Sequence, residues 1–346
     1  MKRFFICLLF NSLLLTVAFA QQAKGFSIIE EKDRKQVNIF YNNKLMTAYC
    51  YYDSSRKPIL YPVNTTDGIT VTRSYPFQLI PGERTDHPHQ TGIWFNYESV
   101  NNLDFWNNSP AIAPEKRKAY GTILHEELID QKVWDNNAML SVKATWVGPE
   151  RNKLLNEKTT YHFKIVNNTF IIDRVTTLVA DTIVVFKDVK DGLFAIRVAR
   201  ELEMPSKEKS SYVDDKGNIT TLDASGASVT GMYYNSEGLK GDSVWGRKAK
   251  WVMLTGKKEN TDITIGIIDH PLNVGYPSYW HARGYGLFAV NPLGRKIFSN
   301  GKEELNFTLQ SNQSVTFRYR IVIHSGSGMP QMEMEKLEAE FAKFTE

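Results

Sequence analysis

The stretch YHFKIVNNTFIIDRVTTLV, residues 161–179, alternates apolar and polar side chains on both sides of Asn167-Asn168. Alternation with a period of two is typical of strands that bury one face. Asparagine tolerates a positive φ, so an Asn-Asn pair between two such runs predicts a β-hairpin. The stretch therefore indicates antiparallel β structure.

The same pattern recurs along most of the chain, with further predicted turns at Asn42-Asn43 and Asn136-Asn137. One segment instead has a helical period, MPQMEMEKLEAEFAKFTE, in which Met334, Leu337, Phe341 and Phe344 form one apolar stripe. No repeat, low-complexity linker or shift in composition marks a boundary. We therefore predict an all-β fold, a large antiparallel β-sandwich over residues 21–346 as one domain, with a C-terminal helix at about 330–344.

The N-terminus has the features of a secretory signal peptide. Residues 1–20 combine Lys2 and Arg3 with an apolar run and an Ala-Phe-Ala end. Cleavage after Ala20 would leave Cys50 as the one cysteine, so no intramolecular disulfide is expected. We predict an exported protein, periplasmic or secreted, with no transmembrane segment after the signal peptide, because no later apolar run is long enough to span a bilayer.

Charge and motifs exclude several classes of function. The formal net charge of +4 falls to +2 without Lys2 and Arg3, and no basic run interleaved with aromatics indicates a nucleic-acid partner. The sequence has no Gly-x-Ser-x-Gly elbow, no His-Glu-x-x-His motif, no phosphate-binding glycine loop and no dinucleotide fingerprint. What remains is acid–base chemistry by histidines and carboxylates, with or without a divalent metal.

Two of the seven histidines lie one residue apart in RTDHPHQTGIWFN, residues 84–96. In an extended backbone His87 and His89 point to the same face, and Pro88 favours that conformation in the residue before it. The pair is open to three interpretations: a metal-binding pair, an acid–base site for a polar substrate, or ordinary strand histidines. His162 and His324 lie among alternating apolar residues and are interpreted as structural.

We predict that residues far apart in sequence converge on one concave pocket with tryptophans at its walls. Glu237 is preferred to Asp86 as the carboxylate partner of a histidine, since Asp86 adjoins His87 and points to the opposite face of an extended strand. Arginines would bind hydroxyls or a sugar carboxylate. The predicted catalytic residues are His87, His89, Glu237 and His281; the predicted substrate-binding residues are Arg73, Arg84, Trp94, Trp106, His125, Asp191, Trp280 and Arg283; no cofactor is firmly predicted, and a divalent metal, if used, would be held by His87, His89 and His125.

Several segments, in their order, resemble a bacterial family named for methane oxygenase PmoA. The resemblance covers residues 60–292 and includes LYPVNTTDGITVTRSYP, DHPHQTGIWF, LDFW, GTILHEE, DGLFAIRVA, NSEG, VWGRKAKWV and DHPLNVGYPSYWHARGYGLFAVNP. It implies a role in carbohydrate catabolism and a sandwich similar to that of aldose epimerases, the galactose-mutarotase-like supersandwich. Many members have a histidine where Gln90 stands here, which weakens the case for a metal. The activity in the family name is not expected, because it belongs to a bundle of transmembrane helices.

Together these observations predict an exported carbohydrate-active enzyme, of the glycoside hydrolase, lyase or sugar epimerase type, that cleaves or isomerises a sugar or glycoside by histidine and carboxylate acid–base chemistry. The alternative is a non-catalytic carbohydrate-binding protein that uses its aromatic residues alone. Both need tryptophans, but only the enzyme needs clustered titratable groups.

Overall fold

The computed structural model describes residues 24–222 and 229–345, and the predicted signal peptide lies outside these ranges. Within them the chain forms twenty strands, two short α-helices and four 3-10 turns. The strands are β1 (Phe26–Glu31), β2 (Gln36–Tyr41), β3 (Lys44–Cys50), β4 (Ile59–Val63), β5 (Ile93–Tyr97), β6 (Thr122–Trp134), β7 (Asn137–Val147), β8 (Lys153–Val166), β9 (Thr169–Ala180), β10 (Val184–Val185), β11 (Gly192–Arg197), β12 (Ser210–Val213), β13 (Ile219–Leu222), β14 (Met232–Asn235), β15 (Trp251–Lys258), β16 (Thr261–Asp269), β17 (Tyr279–Arg283), β18 (Leu287–Asn291), β19 (Thr308–Leu309) and β20 (Ser314–Gly326). The helices are α1 (Arg295–Phe298) and α2 (Gln331–Phe341), and the 3-10 turns are Lys32–Arg34, Pro114–Ala119, Arg200–Leu202 and Gly241–Val244.

Two eight-stranded sheets contain most of these strands. Sheet 1 has the order β1-β2-β3-β4-β5-β11-β18-β17, and sheet 2 has the order β14-β15-β16-β20-β9-β8-β7-β6. Neighbouring strands are antiparallel, as in the pairing of β8 with β9 around Asn167-Asn168. The predicted large antiparallel sandwich is confirmed.

The main hydrophobic core lies between the inner faces of the sheets. Phe194 of sheet 1 stacks on Tyr319 of sheet 2 with ring centroids 5.0 Å apart, and Phe95 lies 5.8 Å from Phe317. Because side chains alternate along a strand, each inward residue of β5, β11, β17 and β18 has an outward neighbour. Sheet 1 also buries its outer face, around Trp94, under the loops that cover it.

The hairpin turns follow the asparagine signals closely. Asn42 and Asn43 both have positive φ, as does Asn167. In the third hairpin the turn is one residue earlier than predicted, because β6 ends at Trp134 and Asp135 takes the positive φ of 46°. Aspartate, like asparagine, tolerates this region, so the local signal was ambiguous by one position.

The predicted C-terminal helix is confirmed as α2, which packs on the outer face of sheet 2. Met334 and Phe341 are buried with Trp251 and Val322. Gly266 lies directly under the helix, where a Cβ would approach the methyl carbon of Met334 to 2.4 Å. The helix therefore depends on a glycine in β16 for its close approach.

Cys50 is a buried free thiol, and burial raises its pKa to about 12. Over the described ranges, no helix has the length and apolar character that a membrane crossing requires.

Candidate active site

Two strands of sheet 1, β11 and β17, carry polar residues on the outer face on either side of β18. The strand register aligns Trp94, Ala195, Ala289 and His281 in one row across the sheet. The next row contains Arg197, Leu287 and Arg283. Paired residues of a sheet point to the same side, so His281, Arg197 and Arg283 face away from the main core and toward the covering loops.

Asp86 is the anchor of the site. Its Oδ1 accepts hydrogen bonds from Arg73 at 2.9 Å and from Arg197 at 2.8 Å. Burial would raise the pKa of Asp86, but the contact with His87 and the charges of Arg197 and Arg73 hold it well below its usual range. Asp86 is therefore a carboxylate at every pH at which the protein is expected to work.

The arginines also fix the backbone around Asp86. Arg73 donates to the carbonyl oxygens of Asp86, His87 and Gln90 at 2.8 to 2.9 Å. Arg197 donates to Oε1 of Gln90 at 2.5 Å. Gln90 stands where a histidine was expected in many members of the PmoA-named family. In this protein its side chain accepts a hydrogen bond from Arg197 and so has a structural role.

His87 lies beside Asp86 in a conformation that differs from the prediction. Its Nδ1 is 3.1 Å from Oδ2 of Asp86, and 40% of its side chain is exposed. The backbone is not extended: His87 has φ 45°, and the Gln90 amide donates to its carbonyl to close a turn. This left-handed residue is why neighbours in sequence place their side chains together, and such strained residues are frequent at functional sites.

His89 remains close to His87 in spite of the turn. The ring centroids are 5.6 Å apart with planes inclined at 78°. His89 is buried, and burial together with the nearby cations Lys57 and Arg73 lowers its pKa well below the usual value. His89 is therefore neutral in the folded protein and less accessible than His87.

Arg84 belongs to a second buried ion group. Its Nε donates to Oε2 of Glu203 at 2.7 Å, and Arg200 donates to the same oxygen at 2.5 Å. Oε1 of Glu203 lies 4.0 Å from Arg197. Glu203 thus connects Arg84 to the arginine that holds Asp86.

An open cleft of about 290 Å³ adjoins these groups. Its walls include Arg84, Trp245, Arg283 and Tyr285. The Arg283 guanidinium lies 5.6 Å from the Trp245 ring centroid, and the ring of Tyr285 stacks on His87 with centroids 5.1 Å apart. Tyr285 is therefore the wall shared by the cleft and the His87–Asp86 pair.

His281 and Asp191 form a second histidine–carboxylate pair behind this cleft. Nδ1 of His281 lies 3.3 Å from Oδ1 of Asp191 and 3.1 Å from the carbonyl oxygen of Lys190. Burial lowers the pKa of His281 to about 4, against the opposing charge of Asp191. The ring centroid of His281 is 6.4 Å from that of Trp245, so this neutral, buried imidazole supports the cleft wall.

Besides His125, four predicted residues lie elsewhere. Trp280 is in the core between the sheets and donates from Nε1 to the carbonyl of Ala249 at 2.9 Å, because it alternates with His281 along β17. Trp94 and Trp106 are on the correct face but fully buried against each other, 5.2 Å apart. Glu237 is exposed in a turn, bonded to Ser236 of the same turn.

His125 lies against different partners, on β6 of sheet 2. Its ring stacks on Tyr51 at 4.1 Å, and its Nδ1 is 3.1 Å from the hydroxyl of Tyr49. The alternative metal set of His87, His89 and His125 is therefore not assembled. In the part of the chain described, no three His, Cys, Asp or Glu side chains are placed to hold a metal ion together.

Tyr285 and Glu203 are the residues that sequence reasoning missed. Glu203 lies in no recognisable motif. Tyr285 lies in the YWHARGYG segment, of which only Trp280, His281 and Arg283 were predicted as site residues. Arg197 carried a usable signal, because an arginine at the end of the apolar strand LFAI needs a buried partner.

Comparison with known proteins shows the family and similar folds. The model of the family of unknown function DUF6807 matches residues 36–341. Similar solved structures include the galactosidase domain of the alpha-galactosidase-sucrose kinase AgaSK (10% identity, TM-score 0.39, 87% of this chain and 42% of that one) and galactose 1-epimerase from Lactobacillus acidophilus (11% identity, TM-score 0.36, 88% and 100%). A galactose mutarotase-like protein from Lactobacillus casei matches at 11% identity and TM-score 0.33, over 87% of this chain and 100% of that one.

The search of curated protein sequences gave no match. The resemblance to the family named for methane oxygenase PmoA was wrong, because the family model that matches this chain is a different one. The motifs quoted for that resemblance fall within the matched range of residues 36–341. The chain belongs to the DUF6807 family.

Proposed function

We propose that this protein is a carbohydrate-active enzyme in which His87, oriented by Asp86, transfers protons beside the cleft that Arg84, Arg283 and Tyr285 line. The observation that carries the proposal is the anchored pair: a carboxylate fixed by two buried arginines, in contact with a partly exposed histidine. Histidine is the side chain best suited to proton transfer near neutral pH.

The geometry assigns different tasks to the two ring nitrogens of His87. Nδ1 lies 3.1 Å from Oδ2 of Asp86 and faces that carboxylate, so Nε2 is the nitrogen available to accept or return a proton of the substrate. The negative charge of Asp86 stabilises the imidazolium that forms. The Tyr285 ring, parallel to the imidazole within 2°, restricts its rotation.

The cleft has the mixture of groups that a sugar requires. Trp245 offers a ring face for the C–H side of a pyranose, while Arg84 and Arg283 offer donors for hydroxyl or carboxylate oxygens. Either cleavage or isomerisation of a sugar or glycoside is compatible with one histidine acting as acid and base.

The proposal is tested by turnover on a panel of glycosides, oxidised glycosides and free aldoses. We expect His87→Ala to lower kcat by about 10²- to 10⁴-fold, the usual contribution of general acid–base catalysis, with a smaller effect on KM. His324→Ala is a matched control, because His324 bonds Thr169 and the Ser327 carbonyl in sheet 2. A His87→Ala variant with unchanged kcat would refute the role.

The same panel tests the alternative, a non-catalytic carbohydrate-binding protein. If the wild-type protein binds a sugar and turns over no member of the panel, and His87→Ala keeps that affinity, the binding function replaces the catalytic one. The full burial of Trp94, Trp106 and Trp280 weighs against it, since these rings offer no open platform.

We further propose export, on the evidence of residues 1–20. N-terminal sequencing of the mature protein should give a sequence that begins near Gln21. A mature chain that retains Met1 would overturn this proposal.

A further inference from the structure

A second and larger cavity, of about 540 Å³, lies away from the proposed active site. It is formed by the segment after β3, the start of β6, the turn between β7 and β8, and the 3-10 turn at Pro114–Ala119. Its volume is within the roughly 300–1,000 Å³ of small-molecule sites. His125 is one of its wall residues, and the proposed catalytic residues are not.

The walls of this cavity are strongly basic. They carry Arg56, Arg117, Arg151 and two lysines, Lys35 and Lys57. Among the described wall residues the one acidic side chain is Asp53, which Lys35 already pairs with at 2.5 Å. Three arginines and a buried lysine therefore face one space with no carboxylate of their own.

Arg56 and Arg151 are free to bind a ligand. Within the described residues neither side chain has a hydrogen-bond or ion-pair partner. Arg117, in contrast, donates a hydrogen bond from Nε to the carbonyl of Ile112 at 3.2 Å. Arg56 and Arg151 also have positive φ, 59° and 63°. Guanidinium groups without partners that line one cavity are suited to bidentate binding of an anion.

Aromatic residues complete the walls. Tyr51, stacked on His125 at 4.1 Å, lines the cavity together with Tyr52 and Tyr120, so three phenol rings lie in the same walls as the arginines. A bare inorganic anion would use the guanidinium groups alone and leave the rings and most of the volume without contacts. A ring compound with an anionic group uses both.

We propose that this cavity is a second binding site, for a saccharide that bears a carboxylate, with Arg56 and Arg151 as the principal anion contacts. The site is independent of the catalysis proposed for His87, because it is defined by binding and needs no turnover. It is nonetheless connected to the loop that contains His87 and His89, because the Lys57 ammonium donates a hydrogen bond to the backbone carbonyl of His89 at 2.7 Å.

Calorimetric titration of the full chain tests the site with four probes: a uronic acid disaccharide, the neutral disaccharide of the same linkage, inorganic phosphate and inorganic sulfate. We expect the uronate to bind, with an affinity that falls as salt is added. The double variant Arg56→Ala/Arg151→Ala should bind it at least tenfold more weakly. Arg247→Ala is the matched control, since Arg247 is exposed and outside both cavities.

The outcomes separate the proposal from its rivals. Equal affinity of the double variant and the wild type would overturn the site, provided that both unfold at the same temperature. Equal binding of the neutral disaccharide would overturn the anionic part, and tighter binding of phosphate or sulfate would overturn the saccharide part. If His87→Ala abolishes turnover while uronate binding persists, binding at this cavity does not depend on the proposed catalysis by His87.

Discussion

The imidazole of His87 lies face to face on the phenol ring of Tyr285, with centroids 5.1 Å apart and planes inclined by 2°. On its other side Tyr285 meets Arg197, whose guanidinium carbon is 4.8 Å from the ring centroid. The same arginine bonds Asp86, the carboxylate beside His87. The ring and the carboxylate thus contact the partly exposed histidine directly, and Arg197 contacts both of them.

Replacement of Tyr285 by leucine removes the stacked ring and keeps an apolar side chain. Because displacement of a catalytic group by about 1 Å costs up to ~10²-fold in rate, we expect kcat to fall by about ten- to a hundredfold. Tyr285→Phe, which keeps the ring, should retain most of the activity. Steady-state kinetics on the substrate found in the panel checks both, and equal rates for the two variants would contradict a stacking role.

Glu203 should be a major determinant of stability. Its carboxylate is buried with Arg84 and Arg200 on one oxygen. Removing one member of a buried charge group typically costs ~3–5 kcal/mol, so we expect Glu203→Gln to lower the free energy of unfolding by about that amount. Chemical denaturation measures it.

Glu201 is the matched control for this substitution. It lies two residues away and pairs with Lys258, but it is a third exposed. Surface pairs are worth about 0–1 kcal/mol, so Glu201→Gln should change stability little. A comparable loss in both variants would show that burial does not distinguish the two carboxylates.

Sheet architecture was predictable from sequence, because strands and their turns are set by local alternation and by residues that accept positive φ. The asparagine pairs located two hairpins to the residue. The apolar stripe Met334, Leu337 and Phe341 located the C-terminal helix for the same local reason.

The site was only partly predictable, because several of its bonds join segments more than a hundred residues apart. Arg84 meets Glu203 and Asp86 meets Arg197 through the tertiary fold, for which no local pattern exists. Glu237 was preferred to Asp86 on the assumption of an extended strand, which the positive φ of His87 breaks. Trp280 was grouped with His281 by sequence, but strand alternation separates their faces.

His281 should make stability fall in acid. Its folded pKa is about 4, and that of an unfolded histidine is about 6.5. Between these values the unfolded chain binds a proton that the folded protein does not, so stability falls as pH decreases from about 6.5 to 4, by up to ~3 kcal/mol. Below pH 4 the effect is constant.

His281→Asn should remove this part of the slope, because the amide can still donate toward Asp191 and Lys190 but does not titrate. Urea denaturation at pH 4.5 and at pH 7 measures the slope. His324→Asn serves as the control and should keep the wild-type slope. A His281→Asn variant with the wild-type slope would show that His281 is protonated in the folded state.

Lys57 should give a second pH dependence, on the alkaline side. Burial lowers the pKa of this ammonium to about 7, with Asp104 opposing the shift; an unfolded lysine has a pKa of about 10.4. From pH 7 to about 10 the unfolded chain therefore binds more protons, and stability rises with pH. Below pH 7 both states are protonated, and the buried charge destabilises the fold to its full extent.

We expect Lys57→Met, which cannot titrate, to lack this rise. Met also leaves the His89 carbonyl without its donor, so the two proteins will differ by a constant, and only the difference in slope between pH 7 and 9.5 reports on the charge. Melting temperatures across that range, on both proteins in parallel, measure it. Parallel curves would mean that Lys57 keeps its proton in the fold.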